Sequence, residues 1–174
     1  MTDPRLDPVW LSGALFSPCR GWRYALWRRW DPRLPAVAFL GLNPSTADEQ
    51  EDDPTIRRCI GFAKRWGCGS LVMLNLYAWR STDPRTLWTM SASEAIGPEN
   101  DTQILAFAGQ ARSVVAAWGA FVRAQVRGAE VARKIRAAGV PVEVLRLSKG
   151  GGPLHPLYAP GDLVPRPWSE LETP

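Results

Sequence analysis

Three side chains in this 174-residue chain have types and surroundings suited to polar chemistry: Asn43, Asn75 and His155. Asn43 precedes Pro44, and the hydroxyls of Ser45 and Thr46 follow it, an anion-friendly group on a turn. A carboxamide can orient a water molecule, but it is no strong general base. Asn75 stands near the end of an apolar run, and its amide can both donate to and accept from a polar edge. His155 is the only histidine and lies in the stretch SKGGGPLHPLY, where glycines let a backbone approach a phosphate. A neutral imidazole there could donate to a developing anion. Each residue also has a plainer reading: Asn43 as the shaper of a turn, Asn75 as a satisfied loop amide, His155 as a structural histidine.

The elements that must position them follow from hydrophobic periodicity. Residues 36–42, AVAFLGL, form an apolar run that stops at Asn43, and residues 70–76, SLVMLNL, form a second; both fit buried strands. Residues 113–118, SVVAAW, and 142–147, VEVLRL, read as the third and fourth strands. Between the first two, Ile56, Cys59, Ile60, Ala63 and Trp66 recur at helical spacing, with Pro54 near the start and Gly67 past the end. Residues 97–108, with Glu99 and Asp101 in an acidic first turn, and residues 129–138 read as further helices. Strand and helix alternating in this way predict a single three-layer α/β domain with a central, mainly parallel four-stranded sheet and helices on both faces. Residues 23–30, RYALWRRW, add an N-terminal strand or hairpin covering a sheet edge. Residues 1–35 thus form a cover, 36–160 the core and 161–174 a tail, and from Gly150 onward little regular structure is expected. In open parallel sheets ligands bind beyond the carboxyl ends of the strands. The segments GLNPSTAD, NLYAWRSTDP, WGAF and SKGGGPLHPLY should therefore meet in one pocket.

Composition narrows the class. Hydrophobic residues make up 45% of the chain, enough for a core without metals or disulfides. Cys19, Cys59 and Cys68 lack the spacing of a disulfide framework, a zinc site or an iron–sulfur cluster, so no cofactor is expected and a reducing compartment is the simpler reading. No apolar run is long enough to span a bilayer and the start, MTDPRLDPVW, does not read as a signal peptide, which predicts a cytoplasmic protein without a membrane partner. The net charge is +4, and all but Lys64, Lys134 and Lys149 of the 21 basic residues are arginine. Arginine suits phosphate contacts, and a GC-rich genome gives the same bias, so charge permits a nucleic-acid partner without identifying one. The acidic stretch DEQEDDP, residues 48–54, is the part least suited to meet DNA. It reads as a solvated loop with Asp52 or Asp53 capping the next helix, or as a metal or nucleotide-sugar contact in which Arg57 and Arg58 pair carboxylates or a phosphate.

The order of four short motifs resembles the uracil-DNA glycosylase superfamily. Gly41-Leu42-Asn43-Pro44 is similar to its water-activating G-x-[DN]-P loop, Asn75 in LVMLNLY to its base-reading asparagine, Trp118-Gly119 to its W-G dipeptide and His155-Pro156-Leu157 to its H-P-[SL] loop. The match covers residues 36 to 160, and its first motif is closer to the G-x-N-P of mismatch-specific glycosylases than to G-Q-D-P. The longer string GLNPSTAD…DDPTIRRC also resembles a bacterial domain family of unknown function, which would support a fold and supply no activity.

The resemblance implies a monomeric DNA glycosylase that excises uracil or another deaminated or mismatched base by N-glycosidic hydrolysis. Asn43 and His155 would be catalytic. Asn75 would read the base between walls such as Tyr77 or Phe39. Ser45, Thr46, Arg57, Arg58, Arg80 and Lys149 would contact phosphates. A non-catalytic nucleic-acid-binding module and an enzyme of free nucleosides or nucleotides fit the same pocket; the latter needs no basic groove.

Overall fold

The computed structural model describes residues 11–168, and its centre is one mixed sheet of seven strands. In chain order these are β1 (Ser12–Phe16), β2 (Arg23–Arg29), β3 (Ala36–Gly41), β4 (Ser70–Asn75), β5 (Val114–Ala116), β6 (Val142–Val144) and β7 (Arg166–Pro167). Their order across the sheet is β1-β2-β4-β3-β5-β6-β7. The four strands read from the hydrophobic runs are contiguous, and β4, β3, β5 and β6 pair in parallel. The expected four-stranded sheet is too small: antiparallel β1 and β2 extend one side and antiparallel β7 the other. The α/β class stands, and the sheet is mixed.

Residues 23–30 cover an edge only as one half of a hairpin, in which β1 and β2 together lie along β4, the end strand of the parallel set. The edge strand is β1, and β2 is an interior strand with six of its seven residues buried, from Arg23 through Arg28. Burial of the charged Arg28 is possible because it reaches its own ion partner, Asp52, at 2.8 Å.

Helix α1 (Pro54–Arg65) covers one face of the sheet. Asp53 accepts from the Ile56 N–H at 2.8 Å, Pro54 begins the first turn, and Lys64 and Arg65 lie at the negative end of the helix dipole. The buried stripe Ile56, Cys59, Phe62 and Ala63 packs on Phe39, Leu71 and Met73. The short α2 (Ala92–Ile96) opens with a Ser91–Glu94 capping box. Helices α3 (Asn100–Ala108) and α4 (Val122–Ala137) cover the opposite face, where Ile104, Phe107, Val131 and Ile135 meet Leu40, Val72 and Leu74. Among the described residues no helix is long and apolar enough to cross a membrane.

Helix α4 starts at Val122, seven residues before the expected 129. Val122 and Val126 are 84% and 81% exposed, so apolar residues on the solvent side spoil the amphipathic pattern, and Phe121 caps the helix with no side-chain bond. Strands β5 and β6 are shorter than the runs 113–118 and 142–147, and the tail carries β7 and a 3-10 turn, Pro156–Tyr158.

One close approach locks α4 to the sheet. A Cβ on Gly128 would sit 2.3 Å from Cζ2 of Trp118, so the indole lies directly on the helix backbone. Alanine normally stabilises a helix relative to glycine. Here the clash should dominate, and Gly128→Ala is expected to cost about 1 to 3 kcal/mol. A thermal melt should show a drop of roughly 2 to 12 °C, at about 2–4 °C per kcal/mol for a chain of this size. A melt at or above the wild-type temperature would contradict the contact.

Candidate functional site

Parallel pairing puts the ends of β3, β4, β5 and β6 at one side of the sheet, and a cavity of about 690 Å³ opens there. It is lined by Asn43 and Ser45 after β3, Asn75 at the end of β4, Trp118 and Gly119 after β5, and His155 in the loop after β6. The four segments do converge on one cavity, which is within the size range of small-molecule sites.

Asn75 lies in the cavity wall and is 1% exposed, and neither its Oδ1 nor its Nδ2 has a hydrogen-bond partner. Gly41 is its neighbour in the β3–β4 register, and a Cβ there would come 2.6 Å from Met73 Cε and 3.0 Å from Asn75 Oδ1. The glycine thus makes room for the amide. Around it the backbone is held firmly. The Asn100 amide donates to the Asn75 and Leu76 carbonyls at 3.0 and 3.1 Å, and Leu76 N–H donates to the Gly41 carbonyl at 2.9 Å. Arg127 of α4 also donates to the Leu76 carbonyl, at 3.4 Å.

Arg127 is in turn fixed by an ion pair to Asp101, which also accepts from Lys134 at 2.8 Å. Asp101, read from sequence as favouring the helix dipole, is a bracket between α3 and α4. Hydrogen bonding to Arg127 and then Lys134 holds its carboxyl down at about 2, against an ordinary 3.8. Its stabilisation is therefore complete above about pH 3.8 and fades as pH falls through about 2. Asp101→Asn should lose about 1 to 2 kcal/mol at neutral pH, a modest figure because the carboxylate is partly solvated. In denaturant titrations the difference from wild type should vanish in that acid window. An equal loss at every pH would exclude the ion pair as its cause.

Asn43 is oriented through its nitrogen. Nδ2 donates to the Ser81 carbonyl at 2.9 Å and to the Pro44 carbonyl at 3.1 Å. Both acceptors are carbonyls, which fixes the amide's orientation and leaves Oδ1 as an acceptor without a partner among the described residues. The Ser81 N–H returns a bond to the Pro44 carbonyl at 2.9 Å, so the loop is pinned from both sides.

His155 caps the 3-10 turn, and its Nδ1 accepts from the Leu157 N–H at 3.3 Å. A neutral ring with Nδ1 so engaged carries its proton on Nε2. Burial pushes the imidazole pKa below its ordinary value, and Asp53 pulls partly the other way. At neutral pH the group is an uncharged donor.

The other residues expected at the site divide. Ser45 lines the cavity, whereas Thr46 is exposed and does not. Phe39 is fully buried under α1 and stacked on Trp66, with ring centroids 5.7 Å apart. Tyr77 is edge-on to Trp88 in the opposite core. Neither is a wall of the cavity. Arg57 donates to the Asp52 carbonyl and Arg58 to the carbonyls of Pro156 and Ala159, so both tie loops to α1. Arg80 lies over the Phe16 ring at 4.7 Å, and Lys149 is exposed; neither lines the cavity.

In the acidic stretch Asp53 is the helix cap, Asp52 pairs with Arg28 and Glu49 with Arg20 at 2.7 Å. The capping reading of the stretch thus holds for Asp53, and the paired carboxylates are answered by Arg20 and Arg28, not by Arg57 and Arg58 as the alternative reading had it. Among the described residues no group of three or more His, Cys, Asp or Glu side chains could hold a metal ion.

Sequence reasoning missed Arg23, Asp53 and Tyr158 as lining residues. Asp53 was legible only as a cap. Tyr158 is 77% exposed at the rim and tilted against His155, with centroids 5.8 Å apart. Arg23 was visible only as one of three arginines in a strand that mixes aromatic and charged residues.

Searches of the curated proteins and of the solved structures found no match to the chain. A scan of family models found one whose matched stretch, residues 23–157, runs from Arg23 past His155 and includes every cavity residue named above except Tyr158. That result supports the resemblance to a domain family of unknown function and adds nothing for the glycosylase superfamily. The match spans well over half of the sequence, and the chain belongs to the family described as protein of unknown function, DUF1643.

Proposed function

We propose that this chain is a base-excising glycosylase, hydrolysing the N-glycosidic bond of a deaminated or mismatched base in DNA. The observation that carries the reading is the Asn75 amide, buried in the cavity wall with donor and acceptor both unpartnered. Leaving such an amide without a partner costs about 1 to 3 kcal/mol per group, a cost that is recovered when a ligand edge offers an acceptor and a donor side by side. A nucleobase edge has that pattern.

The neighbouring groups fit the bond-breaking step. Asn43 Oδ1 accepts from a water molecule and turns its oxygen toward the sugar anomeric carbon. The bond from that carbon to the base nitrogen breaks, and its electron pair leaves with the base. His155 Nε2–H donates to the anionic base, and the proton released by the water ends on the base through solvent. An amide in place of a carboxylate at Asn43 makes the water a weak nucleophile, so the reaction relies on stabilising the leaving base. The motif resemblance at Asn43, Asn75, Trp118-Gly119 and His155 supports the same assignment.

The test is release of free base from single- and double-stranded oligonucleotides containing uracil, hypoxanthine, xanthine or a G·T mismatch, with free deoxynucleosides and nucleotides as a parallel panel. Release from at least one oligonucleotide is expected. Turnover of free nucleotides alone would replace the reading with a nucleotide hydrolase, and silence on both panels would leave a binding module.

A further inference from the structure

Arg23 is the least expected residue in the cavity wall. It is 2% exposed, yet it makes no ion pair among the described residues. Nη1 donates to the Ala47 carbonyl at 2.7 Å, and Nε is buried without a partner. Burial, with repulsion from Arg80 and Arg28, pulls its pKa down to about 10. The nearest charges do little to help. Asp53 and, more weakly, Asp48 attract without forming an ion pair, but Arg80 and Arg28 repel, and Asp53 Oδ1 is already engaged by the Ile56 N–H.

The strand is bent to deliver this side chain. Leu15 of β1 pairs with Ala25, but the next residue, Phe16, pairs with Arg23, so Tyr24 is an extra residue in β2. Ala25 and Trp27 belong to the core under α3 and α4, and simple alternation would send Arg23 there as well. The bulge instead brings it to the cavity and to Ala47, on the α1 side. Bulges beside functional sites commonly re-aim a side chain in this way.

A buried guanidinium without a counter-charge destabilises the fold unless it has an external partner. We propose that Arg23 is a ligand-binding residue that receives an oxygen anion, or a pair of carbonyl oxygens, of the molecule occupying the cavity. This rests on the reading that the cavity takes a base or nucleotide, and it names the chemistry of that substrate. The cavity has room for more than a heterocycle, so the oxygens come either from a nucleotide phosphate or from the dioxo edge of the base. The fork of donors on arginine suits both.

The experiment is calorimetric titration of wild type, Arg23→Met and Arg23→Lys with two ligand pairs. Deoxyuridine monophosphate against deoxyuridine reports the phosphate. Xanthine against hypoxanthine reports the second carbonyl. The wild type should prefer the oxygen-rich member of one pair by on the order of tenfold or more. Arg23→Met should equalise that pair while melting at or above the wild-type temperature, and Arg23→Lys should keep part of the preference. The pair that responds identifies the source of the oxygens. No preference in either pair, a preference unchanged in Arg23→Met, or a preference lost only with a lowered melting temperature in both variants would overturn the proposal. The two readings fail separately. A preference that depends on Arg23, without base release from any oligonucleotide, sinks the glycosylase alone; base release that is unaltered in Arg23→Met, with no preference, sinks the role of Arg23 alone.

Discussion

Asn75→Leu is expected to abolish base release and to leave the protein at least as stable as wild type. The two effects are linked through the same pair of unpartnered atoms. In the free protein the amide is enclosed with its Oδ1 and Nδ2 unsatisfied, while the backbone around it is held by Asn100, Arg127 and Gly41. None of those bonds involves the Asn75 side chain. Leucine has the same branching and number of heavy atoms, its bulkier methyl groups can extend into the adjoining cavity, and it has no polar group to desolvate, so the substitution should be neutral or gain about 1 to 2 kcal/mol. In the reaction the loss is large, because the amide would bind the base edge as charge develops on it. A drop in kcat/KM on the order of a hundred- to a thousandfold is expected, as for removal of one preorganised donor. Asn75→Asp offers a sharper test, since it keeps the size and an acceptor but removes the donor and adds a charge. It should lose activity equally and also lose stability. If Asn75→Leu melts several degrees below wild type, the amide is satisfied inside the fold and is structural. If the variant still releases base at the wild-type rate, the recognition role is gone.

The placement of Asn75 was legible because it depends on one strong signal, the end of a buried strand. The apolar runs that became β3, β4, β5 and β6, the proline and aspartate that begin α1, and the convergence of four loops all follow from local pattern. What failed depends on contacts between distant segments. Phe39 precedes Gly41 by two residues and points to the same face, but the cavity begins at Gly41, and α1 covers everything before it. Tyr77 follows Asn75 after the strand has ended, so alternation no longer fixes its side, and Trp88 takes it into the other core. Arg57 and Arg58 lie beside the acidic stretch in sequence, whereas Arg20 and Arg28 reach it through the β1–β2 hairpin. Arg23 depends on a bulge that shows only when both strands are paired.

Acidification provides the second large effect, through the only histidine in the chain. Burial lowers the pKa of His155 in the folded protein, so the direction is opposite to that of a histidine that gains a carboxylate partner. Above about pH 6.5 the imidazole is neutral in both the folded and the unfolded chain. As pH falls below 6.5 the unfolded chain takes up a proton that the folded chain resists, and stability declines until pH passes below the folded pKa. That limb should disappear in His155→Gln. Base release need not follow the same curve, because protonation changes the ring's charge while Nε2 keeps its hydrogen. Protonation also forces a proton onto Nδ1, which breaks the acceptor bond from Leu157 N–H and loosens the turn that sets the ring. An acid decline in kcat is therefore expected, set by the pKa of His155. His155→Ala should lose on the order of a hundred- to a thousandfold in kcat. Glutamine can still donate but cannot titrate, so His155→Gln should keep part of the rate and lose the acid limb. A proton NMR titration of the single imidazole gives the decisive number. A midpoint at or above the ordinary value of 6.5 would show that the ring is not desolvated as the structure has it, and would remove both the stability limb and the neutral-donor role.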